Sequence, residues 1–193
     1  MSVKVPPGDR PPVARLSQPQ EESVRVHDMF DRLRANAGVF DALTRGVSDE
    51  LARWKPSSDQ WSIIEVVNHL ADEEVEDFRH RIDLTLHRPG ESWPEIDPFA
   101  WATDRQYSKR ELGESIERFM NRRERSLKWL EALDQPDWSR GYAHPTQGRL
   151  TAGDVMTSWV AHDFIHIRQI NRLHRQYLTT ELSPHSPGYA GPW

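Results

Sequence analysis

The most regular hydrophobic pattern in the chain lies near its C-terminal end, in VMTSWVAHDFIHIRQINRL, Val155 to Leu173. Val155, Trp159, Ile170 and Leu173 recur at spacings of three and four, the pattern of a helix that buries one face. His162 and His166 fall inside this stripe, within roughly 20° of the line through Val155 and Leu173. Two imidazoles one turn apart are therefore expected to point toward the core. An unpaired buried polar group costs on the order of 1–3 kcal/mol, so the pair needs partners. Side chains at i and i+4 converge, and a shared metal would satisfy both. Composition limits the weight of the pair alone, because nine His in 193 residues give about 0.4 such pairs by chance. Core histidines with ordinary hydrogen-bond partners are the competing reading.

Three more amphipathic stretches precede it. Val26, Met29, Phe30, Leu33, Ala37, Phe40 and Val47 predict a first helix over 18–46, with a start signal at Ser17 and Gln20. SDELARWKPSSDQ, interrupted by Pro56, reads as a connection with room for one helical turn. Ser62 and Glu65 form an S-x-x-E capping box for a second helix over 63–87, striped by Ile64, Val67, Ala71, Val75, Phe78, Ile82 and Leu86 and stopped by Pro89-Gly90. RPGESWPEIDPFAWATDRQY then predicts a long crossover loop whose aromatics cover one end of the core. Ser108 and Glu111 suggest another capping box, for a third helix over 109–133 with Leu112, Ile116, Phe119, Leu127, Leu130 and Leu133 inward. DQPDWSRGYAHPTQGRL reads as loop, and Thr151 to Asp154 caps the fourth helix. No strand signal is evident, which gives an all-α four-helix bundle with long loops. The predicted divisions are a loose Pro-rich arm over 1–17, the helical domain over 18–178 and a Pro-rich tail over 179–193, either disordered or clamped over the bundle.

Composition narrows the function. Eight Trp, six Phe and four Tyr argue for a folded core despite the 28% of charged residues. A net charge of −5 disfavours nucleic-acid binding. The absence of Cys removes disulfides, Cys-based zinc sites and a Cys nucleophile. No apolar run approaches the length of a membrane span and no secretory signal is visible, so a cytoplasmic protein is the expectation.

A third metal ligand has to come from the other histidines. His69 lies on the second helix, but roughly 140–160° from the centre of its apolar stripe, beside Glu73, Glu76 and His80. By periodicity that side is a solvated face, or the wall of a polar cleft.

WSIIEVVNHLADEE, followed some ninety residues later by HPTQGRLTAGDVMTSWVAHDFIHIRQINRL, resembles the DinB-like (DinB/YfiT) superfamily over about residues 20–178. The matching features are W-S-x-x-E-x-x-x-H-L at the second helix, then a G-x-x-T turn and a helix bearing H-x-x-x-H and Q-I. The resemblance implies a bundle of up-down-down-up topology. It also implies a divalent metal held by His69, His162 and His166, overriding the wheel reading of His69. Three neutral imidazoles leave coordination positions open, as in catalytic rather than structural sites. Nickel or zinc suits such ligands, with iron or manganese as alternatives. Glu73 and Asp163 are candidates to hold the outer imidazole nitrogens, and Gln169 to line the pocket. Arg149 and Arg168 flank the proposed site, although no obvious basic cluster awaits an acidic thiol.

The resemblance extends to activity. Its members include thiol-dependent S-transferases, an isomerase and proteins described as metal-dependent hydrolases. The expectation is a metal-dependent enzyme that activates a low-molecular-weight thiol or water against a small-molecule substrate. The alternatives are a non-catalytic metal- or ligand-binding bundle with a stress-related role, and a plain bundle with satisfied core histidines. Homodimerisation through an exposed helix face stays open.

Overall fold

The computed structural model describes residues 18–191, with side chains from Val26 onward. The N-terminal arm, the Ser17 start signal and Trp193 lie outside the described residues. Helix α1 spans Gln18–Thr44, the short α2 Asp49–Arg53, α3 Ile63–Glu76 and α4 Phe78–His87. The crossover contains α5 over Pro98–Asp104 and a 3-10 turn over Tyr107–Lys109. Helix α6 spans Leu112–Glu131, strands β1 and β2 span Gly141–His144 and Gly148–Thr151, and α7 spans Ala152–Glu181. A 3-10 turn over Pro187–Ala190 lies in the tail. No helix among the described residues is long and apolar enough to cross a membrane.

The capping chemistry explains most of the boundaries. Glu65 accepts the Ser62 backbone N–H at 2.8 Å, closing the capping box of α3. Thr151 and Asp154 close the same motif at α7. The expected box at Ser108 does not form. Ser108 lies inside the 3-10 turn, its carbonyl accepts from Arg53, and α6 starts after Glu111. The predicted second helix is broken at Asp77 (φ −116°, ψ −91°) into α3 and α4, although the Asp77 N–H still reaches Glu73 O at 3.2 Å. The loop after α6 contains an antiparallel hairpin, Gly141 to Thr151, which the hydrophobic pattern did not show because each strand has four residues. Its Tyr142 stacks on Trp93 of the crossover at 4.4 Å, so aromatics do cover that end of the bundle.

Cross-helix pairs give the directions. Met29 meets Thr157, Asn36 meets Asp163 and Leu43 meets His174, so α1 and α7 run parallel. Asn68 meets Ser115 and Glu74 meets Ser126, so α3 and α6 run parallel. Phe40 packs edge-on against Phe119 while Arg34 pairs with Glu131, which sets α6 against α1. The core divides into two apolar clusters. One holds Phe30, Leu33, Phe78, Leu127 and Trp159, the other Ala37, Phe40, Leu70, Phe119 and Ile170. A buried polar layer of Asn36, Glu73, Glu74, Arg123, Asp163 and His166 lies between them along the helices.

Candidate metal centre

Helix α3 is buried on every side from Ile63 to Glu74, because α6 and α7 pack against it and α5 and the 3-10 turn close over it. Its polar face is therefore not solvated, and His69 is only 4% exposed. This corrects the wheel reading, which locates the apolar stripe but not what covers the opposite side. His69 meets the two histidines that α7 presents one turn apart. The Nε2 atoms of His69 and His162 face each other at 3.3 Å, and those of His166 and His162 at 3.0 Å. The three residues can each offer one nitrogen within 4.8 Å of the others.

These nitrogens suit a metal better than each other. Burial first, and the neighbouring imidazoles second, push His69 down to about 3 and His162 down to about 2. Burial also lowers His166, against the pull of Gln169 and Asp163. All three are thus neutral at ordinary pH, the ligating form. His166 donates from Nδ1 to Gln169 Oε1 at 2.7 Å, which leaves the Nε2 lone pair facing the centre. His69 Nδ1 is buried with no hydrogen-bond partner. Four-coordinate ligation at about 2.05 Å puts neighbouring nitrogens about 3.3 Å apart, close to the spacing seen here. The donor set and its geometry therefore fit a divalent ion.

Around this centre the expected roles divide. Glu73 stands against two of the rings, with Oε1 3.6 Å from His69 Nδ1 and Oε2 3.5 Å from His162 Nε2, both beyond hydrogen-bond length. Burial, reinforced by Asp77 and opposed by Arg81, raises its carboxyl to about 8. Asp163 turns away from the histidines. It accepts both terminal nitrogens of Arg123 at 2.8 Å and Asn36 at 3.1 Å, inside the core. Arg149 of the hairpin donates to Ser139 O, just before β1, and takes no part in the site. Two of the other histidines have ordinary partners. His174 donates to Leu43 O at 2.8 Å, and His87 pairs with Asp83 at 3.0 Å.

A cleft of about 510 Å³ opens beside His166, lined among others by Trp61, Phe99, Arg168, Gln169 and Arg172. Trp61 also contacts the His69 ring at 4.7 Å and Phe99 at 5.2 Å. Sequence patterning did not place Phe99, whose helix interrupts the crossover, or Arg172, one turn beyond Arg168. The i,i+4 spacing of the two arginines was the available signal.

Known proteins bear on this arrangement. Among solved structures, YfiT from Bacillus subtilis superposes with a TM-score of 0.69 at 22% identity, covering 88% of this chain and 94% of that one. That protein is described as a probable metal-dependent hydrolase with an unusual four-helix bundle topology. At this identity the likeness establishes the fold. A search of curated proteins finds no match. The family model of the DinB superfamily matches residues 32–170, a span that includes all three histidines, and the chain belongs to that superfamily.

Proposed function

We propose that the protein is a divalent-metal-dependent enzyme that activates water or a thiol against a small-molecule substrate, with His69, His162 and His166 as ligands. The convergence of three neutral Nε2 atoms at 3.0 and 3.3 Å carries this reading. Zinc or nickel suits an all-imidazole set. When bound, such an ion supplies Lewis acidity that lowers the pKa of a water or thiol toward neutrality.

The chain's own residues divide the remaining work. Gln169 fixes the orientation and tautomer of His166. Glu73 is buried against two of the ligand rings, where the charge of a bound cation would draw its raised carboxyl back toward the ionised form and let it take the proton released by the nucleophile. Trp61 walls the cleft and packs on His69, restricting water on that side. Hydrolysis has the added support of the description of YfiT, whose fold this chain shares. Thiol transfer requires only that the same position accept sulfur.

Elemental analysis of tagless protein beside a His162→Ala, His166→Ala double variant tests the ligand set. Near-stoichiometric zinc or nickel, lost in the variant while helicity persists, is the expected result. Ester hydrolysis and thiol-transfer assays then test catalysis, with Glu73→Gln expected to retain metal and lose turnover by about 10²-fold or more. Metal without turnover in wild-type protein would leave a binding protein. Absence of metal would overturn the proposal.

A further inference from the structure

The cleft beside His166 has a chemical character of its own. Trp61 and Phe99 supply an aromatic lining, although Phe99 is 71% exposed. Helix α7 lines the cleft with Ile165, 54% exposed, and with Arg168 and Arg172 one turn apart on the same face. Most other arginines that reach the bundle have partners. Arg105 pairs with Asp72 and Glu76, Arg118 and Arg122 with Asp72, and Arg123 with Glu74 and Asp163. Arg168 and Arg172 have no hydrogen bond, ion pair or ring contact among the described residues. The one carboxylate lining the cleft, Asp59, accepts from Ser57 at 2.5 Å, so the lining carries one net positive charge in a chain of net charge −5. Gln176, also in the lining, has a buried Oε1 with no partner, an acceptor for a ligand hydroxyl or amide N–H.

We propose that this cleft binds a small organic anion, with Arg168 and Arg172 holding its carboxylate or phosphate and Trp61 and Phe99 packing on its apolar body. Guanidinium groups one helical turn apart match an oxyanion through paired, charge-assisted hydrogen bonds. Aromatic walls favour a flat or apolar body over a free inorganic ion. The inference rests on the proposed metal centre only in placing the ligand's far end toward His166. The charge recognition belongs to the arginines.

Benzoate, phenyl phosphate and uncharged benzamide are titrated by NMR into chelator-treated and zinc-loaded protein. In the chelator-treated protein at least one anion is expected to bind ten times or more tightly than benzamide, and the tighter of the two identifies carboxylate or phosphate. An Arg168→Gln, Arg172→Gln double variant should abolish the difference with its thermal midpoint unchanged, because both side chains are exposed. Phe99→Ala should weaken all three probes. Equal binding of benzamide and the anions, no binding of any probe, or anion binding unchanged in the double variant would overturn the proposal. Anion binding that appears only with zinc and survives the double variant would support the metal centre while overturning this inference. Arginine-dependent binding in a protein that takes up no metal would do the reverse.

Discussion

Two buried polar centres lie one residue apart on the same two helices. Glu73 and His162 belong to the histidine centre, while Glu74 and Asp163 belong to an ion-pair network around Arg123. Arg123 is 1% exposed and bound on every nitrogen, to Asp163 at 2.8 Å twice, Glu74 at 2.7 Å and Leu33 O at 2.9 Å. Trp159 also donates to Glu74 at 3.0 Å. Burial works against the Arg123 charge, but Glu74 and Asp163 outweigh it and raise its pKa. The histidine centre is the opposite case. Its nitrogens face one another, His69 Nδ1 has no partner, and it borders a cleft. A buried network whose donors are met joins four helices in one register. A buried set of lone pairs left facing each other has the arrangement that an added cation would satisfy.

The sharpest break of this comparison is Arg123→Met. It strands two buried carboxylates and should cost about 3–5 kcal/mol in chemical denaturation. A histidine variant should behave differently, since losing His166 removes one of three competing nitrogens and leaves no buried charge.

Metal addition comes next. Zinc or nickel at about 100 times its dissociation constant should stabilise wild-type protein by about 2.7 kcal/mol in thermal or urea unfolding. The gain should vanish in the His162→Ala, His166→Ala variant and persist when Arg168 and Arg172 are replaced.

Glu73 gives a pH test in chelator-treated protein. Its folded value of about 8 lies above the ordinary 4.5, so its contribution to stability is fully present below about pH 4.5 and is lost as pH rises toward 8. Glu73→Gln removes that loss. Its stability advantage over wild type should grow by on the order of 2 kcal/mol between pH 5 and pH 8. A gap that shrinks with pH would contradict the burial of an uncompensated carboxyl at this position.

The smallest effect is at Gln169. Its amide holds His166 without touching the other rings, so Gln169→Ala should weaken metal binding about tenfold, about 1.4 kcal/mol, with little change in metal-free stability.

Much of the candidate site is legible in the sequence. His162 and His166 stand out because one helix presents both, and periodicity is a property of a single helix. His69 was not reachable that way. Its position opposite the apolar stripe of α3 is equally that of a solvated face or of a polar cleft wall, and only the family motif chooses between them. Gln169 was visible as the residue one turn below His166. Sequence adjacency pairs Asp163 with His162, but its neighbours in space are Arg123 and Asn36.

Local physics, acting within about one turn of chain, determined the four long helices, the Ser62 and Thr151 caps and the paired histidines of α7. Those features need only spacing and backbone hydrogen bonding. Tertiary packing decided which polar face is covered. With α6 and α7 against it, α3 is buried from Ile63 to Glu74, and that burial makes His69 a ligand candidate, raises Glu73 and neutralises the imidazoles. Packing likewise brought Phe99 of the crossover and Arg172 of α7 to one cleft. A hydrophobic pattern records where the apolar side chains lie, and desolvation of the polar ones depends on neighbours that are distant in the chain.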